Sequence, residues 1–285
     1  MREHRAELLA GDFVFLEAPR WHNGRLFASD VFDLKVYALD ENGQREAVAD
    51  ISQRPAGLGF MPDGSLIVAS SLDRKLMKIV DGEVSEYANL SRHATGNVND
   101  LAIDDVGRVY VGNFGYDFHG GAPRVSTYLH RVDPDGSIRI AAEDLEFPNG
   151  TVLVDDGRRL VVAETFRCRL TAFDRFPDGM LANRRVFADL GPRQPDGICA
   201  DAKGAIWVSS LNTGEFFRVL EGGEVTDLIS FGGSAVSCEL GGSSGKTLFL
   251  CMCAGTIEQT MRMERLSAVY TLQVDVPRLS PFGAG

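Results

Sequence analysis

Six copies of one short phrase recur along this chain of 285 residues, each at the same stage of a repeat. They begin at Glu17, Ala56, Asn99, Asn149, Asp196 and Ser237, with anchors 39, 43, 50, 47 and 41 residues apart. A turn glycine follows seven residues after the first, at Gly24, and eight residues after the others, at Gly64, Gly107, Gly157, Gly204 and Gly245. Each glycine leads into a short run rich in β-branched and aromatic residues, such as SLIVASS, RVYVGNF or AIWVSSL. These are strand signals. Most repeats add a second strand (KVYALD, KLMKIV, RLTAFD), a polar turn (DENG, DPDG, FPDG) and a third strand such as RRVFADL. No long window keeps a helical period. Repeats of 40–50 residues with three or four strands each specify a β-propeller.

The expected fold is therefore all-β, a six-bladed β-propeller formed as one domain over residues 1–285. The segment AELLAGD precedes the first anchor. It is expected to add the strand that closes the last blade, because an unpaired edge there would invite aggregation. The tail PRLSPFGAG alone looks irregular. The longest repeat, the third, gains its length in NFGYDFHGGAPRVS, Asn113 to Ser126. A loop this rich in glycine and aromatics is expected to order over the axial opening.

Repeats around an axis bring equivalent positions together. Glu17, Asn99, Asn149 and Asp196 share one repeat phase, while Ala56 and Ser237 fill the other two slots. Each of the four offers oxygen, the donor that hard divalent cations prefer. Two carboxylates balance a 2+ charge, and two amide oxygens add coordination. The reading is one divalent cation on the axis, calcium first, with magnesium, manganese or zinc as alternatives. No histidine or cysteine occupies a matching slot, which counts against zinc and copper. Individually, PNG and PDG also read as ordinary turns; the joint pattern favours a metal site.

Composition limits the partners. A net charge of −11 lacks the basic footprint that nucleic acid requires. The start MREHRAELLAGDFVF is charged and has no apolar core of a secretory signal. No segment approaches the roughly 18 apolar residues of a membrane span. Five cysteines, an odd number, read as reduced core thiols. The expectation is a cytoplasmic protein acting on a small molecule, with no nucleic acid and no membrane partner. The sequence carries no signal for oligomeric state.

The segments LEAPRW, VNDLAID, FPNGTVLVDD and QPDGICAD resemble, in order and spacing, the ligand motifs of the senescence marker protein / gluconolactonase / luciferin-regenerating enzyme family. The resemblance covers essentially the whole chain. It implies a six-bladed propeller with one divalent metal held by Glu17, Asn99, Asn149 and Asp196, and a metal-dependent lactonase, a carboxylic ester hydrolase. The sugar-lactone members place a substrate-contacting arginine two residues before the third-blade asparagine. Here that residue is Asn97, and no cation evidently replaces it. This departure, with Phe114, Tyr116 and His119 in the long loop, points to a less polar lactone or ester.

In the implied mechanism the cation polarises a lactone carbonyl while a water attacks. Asp196 is the expected base, by family analogy and because a ligand carboxylate can take a proton there. Asn97, Phe114, Tyr116 and His119 are the expected substrate contacts. Glu164, Thr165 and Asn212 follow inner strands and are further candidates, and Ser237 would add a water-mediated contact. His4, His22, His93 and His130 show no paired spacing. No nucleophile elbow or ordered triad is visible. Other readings are a phosphotriesterase-like hydrolase, a lyase or isomerase acting on a carbonyl substrate, and a non-catalytic binding propeller with a structural cation.

Overall fold

In a computed structural model describing residues 1–279, the chain forms six sheets, each built on four antiparallel strands, one of them with a fifth strand added at its edge. Residues 280–285, the end of the irregular tail, lie outside the described residues. The first blade runs outward from Leu16–His22 through Arg25–Asp30 and Lys35–Leu39 to Arg45–Asp50. Four more blades repeat the pattern, with inner strands Pro55–Phe60, Val98–Ile103, Pro148–Val154 and Pro195–Ala200. In the sixth, Ser234–Gly241 is innermost, and Thr247–Cys253 and Ser267–Gln273 follow. Its outer strand is Glu7–Phe13, whose Leu8 pairs with Tyr270 and Phe13 with Ser267. Each inner strand touches the inner strands of both neighbouring blades, and the sixth touches the first, so the ring closes.

The core has six parts because the blades have six interfaces. One apolar cluster fills each gap between neighbours. Leu66 and Val68 face blade 1, whereas Ile67 and Ala69, next to them in the chain, face blade 3. Strands buried on both faces need apolar residues at consecutive positions. That is why the signal was a short continuous run and not alternation. The interfaces hold the thiols too: Cys199 and Cys238 place their sulfurs 3.9 Å apart between blades 5 and 6, and all five cysteines are unbridged.

At the axis the inner strands approach too closely for side chains at certain positions. A Cβ on Gly57 would lie 2.5 Å from Asp100 Cα, and one on Gly150 would lie 2.5 Å from the Asp196 carbonyl oxygen. Gly197 faces Ser237 in the same way. The glycines of PNG and PDG therefore belong to inner strands at a close approach; they are not turn residues.

Some features had no sequence signal. A strand at Arg2–Glu3 runs parallel to the outer edge of blade 5, and Arg2 Nη2 lies 2.8 Å from an Asp227 carboxylate oxygen. The link before the last strand carries a short helix, Ile257–Met261, capped by Thr256 and Gln259. Among the described residues no helix is long and apolar enough to cross a membrane.

Gly150→Ala tests the convergence at the axis. Its methyl would meet backbone atoms that cannot swing aside, so the variant should lose about 2–3 kcal/mol of stability. Thermal unfolding reads this as a drop of roughly 5–10 °C. An unchanged transition would show that the strands are less tightly packed than described.

Candidate functional site

The phrase that recurs in the sequence is a recurring backbone kink. Each inner strand slips register against its partner at the start of the phrase, between Glu17 and Arg20, Pro55 and Leu58, Val98 and Leu101, Pro148 and Thr151, Pro195 and Ile198, and Ala235 and Ser237. A β-bulge turns a side chain away from the direction the pleat would give it. Here it lets residues that would enter the blade interfaces line the axial cavity instead.

The sixth slot differs from expectation. Ser29 Oγ donates to the Ala56 carbonyl at 2.6 Å, and Ser209 Oγ, at the same place in its blade, donates to the Val236 carbonyl at 2.8 Å. Val236 is therefore the equivalent of Ala56 and Asn99. Ser237 lies one residue further along, level with Asp100, and its buried hydroxyl has no partner among the described residues. The longer sixth inner strand carries one more residue before its turn, which hid the offset in glycine spacing.

Glu17, Asn99, Asn149 and Asp196 line a single cavity of about 370 Å³. The two amides are held by their nitrogens. Asn99 Nδ2 donates to the Pro148 carbonyl at 3.3 Å. Asn149 Nδ2 donates to Thr165 Oγ1 at 3.3 Å, and that hydroxyl donates to the Pro195 carbonyl at 2.8 Å. With the nitrogens tied to the blades, the amide oxygens remain for the cavity. Such second contacts are what orient ligands around an ion.

The two carboxylates lack a countercharge. Neither Glu17 nor Asp196 forms an ion pair among the described residues. Burial first, then the charges of Asp196 and Asp100, push Glu17 well above the usual carboxylate range. Burial and Asp100 push Asp196 up to about 8, against a hydrogen bond from Asn149. Further along the channel, Arg20 crosses from blade 1 and donates to Asp100 Oδ1 at 2.6 Å and to the Leu101 carbonyl at 3.0 Å. That pair separates the cavity from a smaller one of about 220 Å³ at the other end. No group of three or more histidine, cysteine, aspartate or glutamate side chains suited to a metal occurs among the described residues. The axial set has only two such side chains; its other oxygens are amides. It fits a hard cation by charge, donor type and orientation.

Two residues before five of the six slots lies a second ring, also in the cavity wall: Phe15, Arg54, Asn97, Phe147 and Gln194. The phase of the repeat could have found it. Above it stand Phe114 and Phe118 from the long loop and Phe166 from the turn Thr165–Arg167. Phe114 stacks on Phe147 at 4.3 Å between centroids, Phe118 packs edge-on to Phe147 at 5.4 Å, and Phe166 packs on Phe147 at 4.9 Å. His119 and Ile257 complete the rim. Tyr116 is not in the wall; it is buried beside Phe118 and Phe147, so it supports the loop without facing the cavity. The expectation that no cation replaces the missing arginine also fails, because Arg54 and Arg124 both line the cavity.

The other candidates have structural partners. Thr165 lines the cavity, but Glu164 is fully buried, where it binds Arg167, Arg169 and Arg184 and accepts from the Glu146 N–H. It thereby fixes the turn that carries Phe147. Asn212 Oδ1 accepts from the Gln194 N–H, outside the cavity wall. His4 pairs with Asp227, His22 stacks on Phe60, and His93 packs against His130.

Residues 15–254 match the SMP-30/Gluconolactonase/LRE-like region. The chain is 30% identical over 198 residues to pentonolactonase XacC of Haloferax volcanii, covering 67% of this chain and 65% of that protein. It is 23% identical to regucalcin of Xenopus laevis, covering 71% of this chain and 70% of that protein. The match to regucalcin of Danio rerio, at 24% identity, covers 55% of this chain and 53% of that protein, so the chain spans less than two thirds of the first relatives it matches. Among solved structures, a calcium-binding regucalcin from Agrobacterium tumefaciens superposes with a TM-score of 0.82 at 18% identity, over 98% of this chain and 97% of that one. A gluconolactonase from Xanthomonas campestris gives 0.78 at 24% identity, over 95% and 89%.

The unbalanced carboxylates have a measurable cost. Because folding raises the proton affinity of Asp196, the folded chain keeps a proton that the unfolded chain releases. Without a bound cation, stability therefore falls as pH rises from about 4 toward about 8. In chelator, Asp196→Asn should melt roughly 5 °C above the parent at pH 8, a difference on the order of 2 kcal/mol. The gap should narrow toward about pH 5. A variant that melts lower at both pH values would mean that a favourable contact holds the buried carboxylate.

Proposed function

Because the chain belongs to the SMP-30/gluconolactonase/LRE-like family, we propose that it hydrolyses a lactone or a closely related ester in the axial cavity. One observation carries the reading: two carboxylates without a countercharge and two nitrogen-anchored amides converge at the floor of a cavity ringed by aromatics. The relatives named pentonolactonase and gluconolactonase support lactones as the substrate class.

Glu17, Asn99, Asn149 and Asp196 would hold one divalent cation, with calcium favoured by the all-oxygen set and by the calcium-binding regucalcin. When bound, it would supply the positive charge that polarises the substrate carbonyl and stabilises the oxyanion. The chain's own groups do the rest. The Asn99 and Asn149 amides stay oriented by the Pro148 carbonyl and the Thr165 hydroxyl, so little rearrangement is needed during reaction. An Asp196 carboxylate oxygen takes the proton of the attacking water and returns it to the leaving alkoxide. Glu17 balances charge. Phe114, Phe118 and Phe147 pack against the apolar part of the ring and limit the entry of further water. His119, whose proton affinity is lowered by burial and by Arg54, is neutral at pH 7 and adds no competing charge at the rim.

A lactone panel read by acid release, with and without chelator, tests the proposal. Activity should vanish in chelator and return with calcium, and Asp196→Ala should cost roughly 10²–10⁴-fold in kcat. Calorimetry should find one calcium site, weakened in Glu17→Gln. Calcium binding without turnover of any lactone would favour a binding propeller, whereas turnover of phosphotriesters alone would favour the organophosphate reading. Full lactone turnover by Asp196→Ala would remove that residue from the mechanism.

A further inference from the structure

The second ring carries one charge. Its members are Phe15, Arg54, Asn97, Phe147 and Gln194, each two residues before its slot. Arg54 is half-buried in the cavity wall, and among the described residues its guanidinium makes no ion pair and no hydrogen bond. Burial lowers its proton affinity, and no carboxylate is paired with it among the described residues. Arg20, further down the channel, shows the contrast, being held by Asp100 at 2.6 Å.

Other features fix Arg54 where it is. Its guanidinium carbon lies 4.7 Å from the centroid of the Phe32 ring, which holds the group by cation–π attraction. Its backbone is in the left-handed region, at φ 63°, and its carbonyl accepts from the Ser71 N–H at 2.8 Å. An arginine rarely adopts that backbone. Its nitrogens are not among the buried polar atoms left without a partner, so they keep contact with solvent, and an anion on the ligand would replace that water with a charge-assisted pair.

We propose that Arg54 is a specificity-determining residue that receives a carboxylate on the substrate, making the preferred substrate an anionic lactone with an otherwise apolar ring. The proposal rests on the lactonase reading for its chemistry, and on the unpaired guanidinium for its charge. Arg54 and the oxygen set line the same cavity, so a carboxylate attached directly to a small lactone ring would meet the guanidinium while the ring carbonyl faces the oxygens. The Arg54 fork and the Phe32 face select the charged substituent, and Phe114, Phe118 and Phe147 take the hydrocarbon edge.

The test compares a matched pair, 5-oxotetrahydrofuran-2-carboxylate and its carboxamide, on calcium-loaded parent protein, Arg54→Gln and Arg54→Lys. In the parent, kcat/KM should favour the carboxylate by roughly 10–100-fold, the range of a charge-assisted pair. The ratio should fall close to one in Arg54→Gln and be partly restored in Arg54→Lys, which keeps the charge but not the fork. Binding provides a readout free of turnover: calorimetry with 3-oxocyclopentane-1-carboxylate and its carboxamide, which have no ester to open, should give the same ordering of ratios. Equal ratios in the parent and Arg54→Gln would overturn the proposal, as would a parent that binds both analogues alike. If neither lactone is opened but the binding preference is present and lost in Arg54→Gln, the anion site stands and the lactonase reading fails. Retained calcium binding in both variants shows that they are folded.

Discussion

The closeness of the inner strands at the axis governs the rest of this molecule. Six strands can converge only where some positions have no side chain, as at Gly57, Gly150 and Gly197. Convergence has two results. It packs blade against blade, so each interface becomes a separate apolar cluster. It also brings residues from blades 1, 3, 4 and 5 to one cavity, although the most distant of them, Glu17 and Asp196, are 179 positions apart in the chain (196 − 17). The repeated bulge makes the second result compatible with the first. It diverts polar side chains out of interfaces where they would be buried without partners.

Much of this was legible because a repeat makes position in sequence a proxy for position in space. The strand runs, the six blades and the cavity position of Glu17, Asn99, Asn149 and Asp196 all follow from phase. Where phase was disturbed, the reading slipped: the extra residue in the sixth inner strand moved the assignment from Val236 to Ser237. The glycines in PNG and PDG were ambiguous because a tight turn and a tight interface both exclude a Cβ. Arg54 shows no such signal, because the resemblance implied a cation at the third-blade position and Arg54 holds the same phase in the neighbouring blade. Nothing in the sequence distinguished Tyr116, which packs beneath the loop, from Phe118, which faces the cavity; that depends on the path of the loop backbone.

The cavity is organised in levels. At the floor are oxygens tuned by burial, like charge and the anchoring of amide nitrogens. Two residues nearer the opening is a mixed ring, and above it an aromatic rim. The levels draw on overlapping sets of blades, and their side chains meet different neighbours. Glu164 illustrates how the levels stay independent: fully buried among three arginines, it secures the turn that presents Phe147 without touching the floor.

The sixth blade closes with a strand from the start of the chain, and Glu17 follows that strand by only four residues. The oxygen floor therefore spans the seam where Glu7–Phe13 pairs with Ser267–Gln273. An ion gripped by Glu17 on one side and Asp196 on the other would act as a clasp over that seam. Its binding energy would be shared with ring closure, since a ligand of the closed form alone stabilises it by mass action.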